Sequence, residues 1–597
     1  MTDAPQTSPI RRVVTRKADE TVGARPERRS MLNQRAMRNT ATAIEEREAA
    51  ARHMEVKEDT FSRDDRGEVT LDDSQQDAVD MMLTQQYGCV TGNAGSGKTT
   101  AVKYALRKLE QQLRKIDWTH YRSVGQTPGE KRVPSIALCT WTNVAARNLA
   151  AKIDEKWTPH CMSVHSMLAF APESMSSEPG ENHSGRFSPR YHTGRKLPLD
   201  AIIIDEAGTI PRDLWHQILD ACTPSTRIYF LGDLAQLPAI KGVSPMPFAI
   251  DKWPSVHLTT VYRQAEGGEL IDSLNRIRRG LPPTHYAQTF RCAEKEKLPS
   301  SPSAARKQIG GYLSTLFKMG LWDPAQDMVI TAENDATLGQ NYWNSAFRFA
   351  FNPKQHNSAG DWINPPILIK TAIGVVNLSI GDKVMGRENS GRGALERRFV
   401  NGAIGTITAI ARNPAYSGDF TGLGAQDAII SNEDEQLTAQ SMFDFSQSAI
   451  QEAEEHFSGE IAAADDEDAK TRAASHLVTI VEQATGEEYV LSRSAEIASL
   501  QHAYAATCHK FQGSQARHVI VICHENMRFG LNREWVYTAC SRAKEKVFLL
   551  HTERALEKSI TKQQIIGRNA DEKAEHLRRI YAKTPWGVPN LPEPRTL

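Results

Sequence analysis

From Leu71 onward, short apolar runs alternate with longer stretches of helical texture. Seven runs read as buried strands: Gly88–Thr91, Ser135–Thr140, Ala201–Ile204, Arg227–Leu231, Met328–Thr331, His518–Cys523 and Lys546–Leu550. Apolar runs of this kind, separated by helices, predict parallel sheets covered on both faces. They occur in both halves of the chain, so the pattern predicts an α/β fold with two such sheets.

Two stretches interrupt the pattern. Residues 171–197 are rich in Ser, Pro, Gly, His and Arg and read as a loop or hairpin excursion. Residues 371–490 contain Gly381-Asp382-Lys383-Val384-Met385 and Val400-Asn401-Gly402-Ala403-Ile404-Gly405-Thr406-Ile407. Short strands with Asn-Gly turn chemistry predict a small β-barrel there. Within it, Gln451–Lys470 carries eight acids against one lysine and reads as a solvated excursion. Residues 1–67 differ again, being rich in Arg, Glu, Ala and Thr. Residues 1–40 hold nine Lys/Arg against four Asp/Glu. Such a segment buries too little apolar surface to offset its ordering entropy, so its first half is expected to be a flexible arm. Arg35 to Val56 favours a helix. A solvated tail and a tether to DNA or a partner protein are both open for this arm.

Composition narrows the class. The chain has 597 residues, room for about four units at roughly 150 residues each. Lys+Arg and Asp+Glu are 72 each, so any nucleic-acid surface must be a local groove or patch. No apolar run approaches the ~18 residues of a membrane span, and the first residues lack the apolar core of a signal peptide. The eight cysteines form no C-x-x-C pair, which fits a reducing compartment. The expectation is a globular protein that is neither secreted nor membrane-bound.

Gly92-Asn93-Ala94-Gly95-Ser96-Gly97-Lys98-Thr99 fits G-x-x-x-x-G-K-[ST], between an expected strand and a helix beginning at Thr100. The glycines let backbone N–H groups face phosphates, and the helix N-terminus favours the anion. Lys98 can reach the β- and γ-phosphates, and the Thr99 hydroxyl can ligate Mg²⁺. The second element is Ala201-Ile202-Ile203-Ile204-Asp205-Glu206-Ala207-Gly208, a buried strand ending in two acids. Carboxylates at a strand's C-terminal end lie at the ligand crevice of an α/β sheet. Asp205 can hold Mg²⁺ and Glu206 can take a proton from attacking water. Together they define an NTPase using ATP and Mg²⁺, and no more.

Further motifs follow in a fixed order, and with them the chain resembles the superfamily 1 DNA helicases of the RecD/Dda-like branch over roughly Leu71 to His551. Leu71-Asp72-Asp73-Ser74-Gln75-Gln76-Asp77-Ala78-Val79 matches the family's adenine-reading segment, with Gln75 as the reader. Thr140-Trp141-Thr142-Asn143-Val144-Ala145-Ala146 resembles motif Ia, which implies a phosphate contact by Thr142. Ser163-Val164-His165-Ser166 resembles the next landmark; His165 is read either as a DNA contact or as a structural histidine. Leu231-Gly232-Asp233-Leu234-Ala235-Gln236-Leu237-Pro238 resembles motif III, so Gln236 inherits the γ-phosphate sensor role. Leu258 to Gln264 resembles motif IV and contains Arg263; Val536 to Ala543 resembles motif VI and contains Arg542. The resemblance makes these two the arginine fingers, a role suited to a planar, permanently charged fork. Tyr504 to Gln515 resembles motif V, which implies DNA contacts by Thr507, His509 and Lys510.

The resemblance also implies an architecture. RecA-like domain 1A would span 68–255, with a 1B pin insertion at about 160–198; domain 2A would comprise 256–370 plus 491–555. An SH3-like barrel, 2B, would span 371–490, and 556–597 would be a tail. Phe187, Tyr191 and His192 at the pin either stack on a base or pack locally. The implied activity is ATP-driven movement along single-stranded DNA, 5′ to 3′, with unwinding of duplex DNA in replication, recombination or repair. An RNA helicase or protein-displacing translocase, and an ATP-gated DNA-loading factor, remain open. Implied partners are single-stranded and forked DNA, with a single-strand-binding or replication protein as a further candidate and no membrane. The expected compartment is the bacterial cytoplasm or that of a phage-infected host.

Overall fold

The computed structural model describes residues 70–93, 95–116, 132–172, 187–239, 243–260, 268–334, 337–352, 367–371, 374–387, 399–416, 473–527, 530–567, 570–581 and 589–597. The expected arm (1–67), the acidic stretch 451–470, Ala94 and Arg263 lie outside the described residues.

The first lobe runs α1 (Asp73–Thr84), β1 (Tyr87–Gly92), α2 (Lys98–Leu109), β2 (Ile136–Thr140), α3 (Asn143–Ala150), β3 (Cys161–Ser163), β4 (Ala201–Ile204), α4 (Arg212–Ala221), β5 (Arg227–Gly232), α5 (Met246–Lys252) and β6 (Ser255–Leu258). Its six strands form a wholly parallel sheet in the order β6-β1-β5-β4-β2-β3. Neighbouring residues feed two apolar layers. Cys89, Cys139, Ile202, Ile204, Ile228 and Phe230 pack on one face. Val90, Leu138, Ala201, Ile203, Tyr229 and Leu231 pack on the other. Burial on both faces is why these strands read as continuous apolar runs.

The second lobe runs α6 (Glu269–Arg278), β7 (Phe290–Arg291), α7 (Pro302–Lys318), β8 (Met328–Thr331) and α8 (Gln340–Phe351). The chain then leaves it through the hairpin β9 (Ile367–Thr371) and β10 (Gly374–Leu378), followed by β11 (Lys383–Gly386), β12 (Ile404–Arg412), β13 (Ala473–Glu482), β14 (Glu488–Arg493), α9 (Ser494–Ala498) and β15 (Leu500–His502). It returns with β16 (Ala505–Thr507), β17 (Ala516–Cys523), α10 (Arg533–Cys540), β18 (Ala543–His551), α11 (Glu553–Thr561) and α12 (Ala570–Tyr581). The second parallel sheet has the order β7-β18-β17-β8-β16. It too alternates, with Met328, Ile330, Val519 and Val521 on one face and Val329, Ile520, Ile522 and Phe548 on the other.

All seven expected strands are present, each end within three residues of its expected place. Strands β3, β6, β7 and β16 have at most four residues each and were not legible as apolar runs. Strand β6 pairs with β1, which carries the first lobe past residue 255 to Leu258. In the inserted region, β14-β13-β12-β11-β15 form a five-stranded antiparallel sheet that continues to His502. Its core holds Val384, Ile407, Val478, Ile480 and Leu500. The Asn401-Gly402 turn forms as expected: Gly402 sits at φ +85°, and Ala403 N donates to Val400 O at 2.9 Å. Of the excursion at 171–197, Ala171–Pro172 pairs antiparallel with Phe187–Ser188.

From Ala570 on, the described part of the tail, 556–597, packs back on the first lobe. Helix α12 packs on α5 of the first lobe, and Ala574 and Leu577 enter that lobe's core. The last residues then run along the first lobe. Trp215 Nε1 donates to Asn590 O (2.8 Å), Trp253 Nε1 to Pro592 O (3.0 Å), and Gln86 N to Arg595 O (2.8 Å). Each buried indole N–H thereby gains a carbonyl acceptor that no strand supplies. Among the described residues, no helix is long and apolar enough to cross a membrane.

Candidate nucleotide site and nucleic-acid face

The sheet order explains how distant motifs meet. Strands β1, β5, β4 and β2 are successive neighbours and parallel, so their C-terminal ends share one edge. That edge carries the 92–99 loop, the loop after Gly232, Asp205 and Thr140, as expected for a ligand crevice in an open α/β sheet.

The 92–99 loop is built to curl. Gly95 and Gly97 adopt φ +85° and +81°, where a side chain is strained. A Cβ on Gly92 would stand 2.4 Å from Ser96 Oγ. Lys98 Nζ donates to the carbonyls of Gly92 (2.7 Å) and Asn93 (2.9 Å) and so folds back over the loop. Thr99 and Thr100 lie in the first turn of α2, partly buried. Asn93 Oδ1 and Ser96 Oγ are buried without a hydrogen-bond partner among the described residues, polar atoms suited to an anion and its water. Gln75 is wholly buried at the start of α1, which packs against α2. Its Oε1 accepts from Asp72 N (3.2 Å), while its Nε2 is buried and unpartnered among the described residues, leaving a donor for a base edge.

Asp205 and Glu206 directly follow β4. Asp205 Oδ1 accepts from Glu206 N at 2.9 Å. Glu206 has φ +53°, a left-handed conformation that is strained for a bulky residue. Thr209 N and Oγ1 hold its carbonyl at 3.0 and 2.8 Å. Burial raises the Glu206 pKa above the ordinary carboxylate value, and the Asp205 charge raises it further. Arg542 and Lys98 act in the opposite direction. The Glu206 carboxyl thus feels both the phosphate-loop lysine and an arginine of the other lobe.

The cleft between the lobes is closed by the loop after β5. Gln236 Oε1 accepts from Arg542 Nη2 at 3.0 Å, joining the expected sensor to an expected finger. Arg542 is 3 % exposed, with Nε donating to Thr538 O (3.1 Å). Leu237 N donates to Thr538 Oγ1 (2.8 Å), and Tyr537 OH donates to Asp233 Oδ2 (2.8 Å). Leu237 packs in the second lobe's core with Ile277 and Val536. Asn93 Nδ2 donates to Asn275 Oδ1 at 3.3 Å, and Arg278 Nη2 lies 3.8 Å from Asp233 Oδ1. His257 Nδ1 lies 2.9 Å from Thr91 Oγ1. Asn275, Arg278, His257 and Tyr537 escaped the reading of the sequence. Tyr537 lay inside the matched motif VI; the others carry no local signal.

The donors fit a magnesium–nucleotide complex. Among the described residues, no cluster of three or more His, Cys, Asp or Glu is gathered for a metal. Mg²⁺ needs none, because it takes one or two protein oxygens and completes its shell with phosphates and water. The Thr99 hydroxyl and the Asp205 carboxylate are oxygens of that kind.

The other expected residues lie apart from this cleft, some of them where α3 meets the loop after β16. Thr142 is the N-cap of α3, its Oγ1 accepting from Ala145 N at 3.2 Å. Asn148 Nδ2 donates to Gly513 O at 2.8 Å, and Arg147 Nη1 to Glu482 Oε2 at 2.6 Å. Helix α3 therefore touches both the motif V loop and the antiparallel sheet. His165 is held edge-on between Trp141 (5.2 Å) and Phe170 (4.9 Å), and burial lowers its pKa. Thr507 ends β16, its N donating to Gln340 Oε1 (3.0 Å). Burial lowers the pKa of His509. Lys510 Nζ donates to Asn334 Oδ1 at 3.3 Å. Phe187 stands at the base of the excursion. Of the two readings open for Tyr191, the structure shows local packing: it is 7 % exposed in the first lobe's core, with the Arg195 guanidinium 5.1 Å from its ring centroid.

Two parallel-sheet lobes, with a phosphate loop on one and a buried arginine of the other meeting its sensor loop, define the two-lobed P-loop class of protein. The comparisons with known proteins narrow this class. A family model for an AAA domain matches residues 70–295, and one for a UvrD-like helicase C-terminal domain matches 502–550. The chain is 22 % identical over 478 residues to the ATP-dependent RecD2 DNA helicase of Deinococcus radiodurans, covering 80 % of this chain and 48 % of that protein. It is 25 % identical over 221 residues to the RecBCD enzyme subunit RecD of Mycolicibacterium smegmatis, covering 35 % of this chain and 36 % of that one. The chain thus spans about half the length of these relatives, or less. A solved Pif1 helicase from Bacteroides, in complex with ADP-AlF3 and ssDNA, is similar at 16 % identity and a TM-score of 0.43, covering 87 % of this chain and 99 % of that one. The resemblance to superfamily 1 helicases of the RecD type, first carried by the motif series, is seen again in the two RecD relatives.

Proposed function

We propose that the chain is an ATP-dependent DNA helicase that translocates 5′ to 3′ on single-stranded DNA and unwinds duplex DNA in replication, recombination or repair. The observation that carries this reading is the Gln236–Arg542 hydrogen bond across the cleft. It couples the hydrolytic site of one lobe to the position of the other.

Lys98 exchanges its two loop carbonyls for the β- and γ-phosphate oxygens when ATP binds, and Gln75 Nε2 donates to the adenine edge. Thr99 and Asp205 would hold Mg²⁺, which would supply charge neutralisation at the phosphates. Glu206, with its raised pKa, takes the proton of the attacking water. Arg542 stabilises charge on the transferring phosphoryl group, and Arg263 is proposed as its companion. Loss of the γ-phosphate changes the contacts of Gln236 and so biases the cleft toward opening. Single-stranded DNA crosses from Thr142 and His165 on the first lobe to Thr507, His509 and Lys510 on the second. The antiparallel sheet serves as an SH3-like 2B domain beside that path, and the 171–197 excursion, with Phe187 at its base, as a 1B pin at the fork. The 5′-to-3′ direction comes with the RecD-like resemblance.

The test is ATP hydrolysis with and without single-stranded DNA, in Mg²⁺ and after chelation. Strong stimulation by DNA, lost on chelation, is expected. No stimulation by DNA, or stimulation by RNA alone, overturns the DNA assignment.

A further inference from the structure

Helix α12 packs on the first lobe and reaches the second through one side chain, beside the loop that couples them. It is carried on the first lobe: Ala574 and Leu577 are in that lobe's core, Arg578 pairs with Asp251, and its guanidinium lies 5.8 Å from the Phe248 ring centroid. One turn before Leu577, Lys573 turns into the interface and is 7 % exposed. Its Nζ donates to Leu234 O at 2.6 Å and lies 4.0 Å from Glu534 Oε1. Leu234 belongs to the loop that carries Asp233 and Gln236. Glu534 stands on α10, one turn before Thr538, the residue that holds both Leu237 N and the Arg542 guanidinium. The described part of the connection from α11, residues 562–567, is held as well. Gln564 N donates to Glu534 Oε2 at 3.0 Å, and a Cβ on Gly567 would stand 2.5 Å from Lys573 N.

One buried ammonium therefore holds a loop carbonyl of the first lobe and stands as countercharge to a helix carboxylate of the second. Removing it would leave the Leu234 carbonyl without its donor and the buried Glu534 carboxylate without its countercharge, losses that cost most away from water. We propose that Lys573 is a positioning residue for ATP hydrolysis, fixing the 233–238 loop against α10 so that Gln236 meets Arg542. Lys573 acts through those two residues and does not touch the phosphates. The proposal rests on the reading of the chain as an ATPase.

The test uses the full chain as wild type, Lys573→Met and Lys573→Arg. Methionine keeps the apolar stem without the charge; arginine keeps the charge and donors. DNA-stimulated kcat is expected to fall about tenfold in Lys573→Met, with the KM for ATP within about twofold of wild type. Lys573→Arg is expected to recover most of that loss. Amide hydrogen exchange at Ala235, Gln236 and Leu237 is expected to quicken in Lys573→Met while β5 keeps its protection. Unchanged kcat and exchange in Lys573→Met would overturn the proposal. So would an equal loss in both variants together with lost protection throughout α12, which marks a mere packing role. A wild-type chain without ATP hydrolysis would sink the proposed function instead, and the exchange pattern would still judge Lys573.

Discussion

Glu206 carries two costs at once: a left-handed backbone, worth roughly 1–3 kcal/mol of strain, and a carboxyl whose charge is opposed by burial and by Asp205. A carboxyl whose pKa is raised on folding favours its neutral form. Its contribution to stability is full below the ordinary value of 4.5 and is lost as pH rises through the raised value. Glu206→Gln should therefore raise the melting temperature relative to wild type at pH 8, with the difference vanishing near pH 4. Turnover should fall by about 10²–10⁴-fold, the usual share of a general base. A substitution that leaves turnover intact would remove Glu206 from the proton transfer. Arg542→Ala should lower DNA-stimulated kcat by about 10³-fold or more, within the range for an arginine finger. Because Arg542 is buried against Gln236 and Thr538, Gln236→Ala should show much of the same loss. The double variant should then fall far short of the sum of the two, as residues acting as a unit do. Additive losses in that cycle would mean that the two act separately.

Helix α3 shows at the next scale how one short element serves both fold and function. Thr142 caps it, Val144 enters the core of the antiparallel sheet, and Asn148 holds the motif V loop. Thr142→Ala should remove a cap worth about 1 kcal/mol, lowering the melting temperature by a few degrees, whereas Thr142→Ser should behave as wild type. Single-stranded DNA affinity, read by fluorescence anisotropy, should follow the same order. Equal affinity in all three would take Thr142 out of the DNA path. Most such elements were legible before any coordinates, and the reason is physical. The seven central strands are buried on both faces, so their composition alone marks them. The phosphate loop and the Asp205-Glu206 strand end were legible because their chemistry admits few residue types. The edge strands β3, β6, β7 and β16 were not, since a few residues at a sheet margin need no apolar run. Nor was α12, whose Ala574 and Leu577 form too short a stripe to announce a partner, or Lys573, whose role depends on a carbonyl 339 residues away.

For the molecule as a whole, the net charge of zero means that the proposed DNA path must be a local one. The place where α3, the antiparallel sheet and the motif V loop meet offers one. The strap formed by α12 and the last residues makes the first lobe depend on chain that follows the second. Removal of residues 563–597 should expose the Trp215 and Trp253 indoles, lower the melting temperature and abolish DNA-stimulated turnover. A truncated chain as stable and active as the full one would contradict that dependence. The most direct measurement is strand displacement from two partial duplexes, one with a 5′ single-stranded tail and one with a 3′ tail, in ATP and Mg²⁺, with Lys98→Ala as the blank. Displacement from the 5′-tailed substrate alone, lost in Lys98→Ala, is the expected result. Displacement from the 3′ tail alone would overturn the direction, and DNA-stimulated hydrolysis without displacement from either would contradict a helicase.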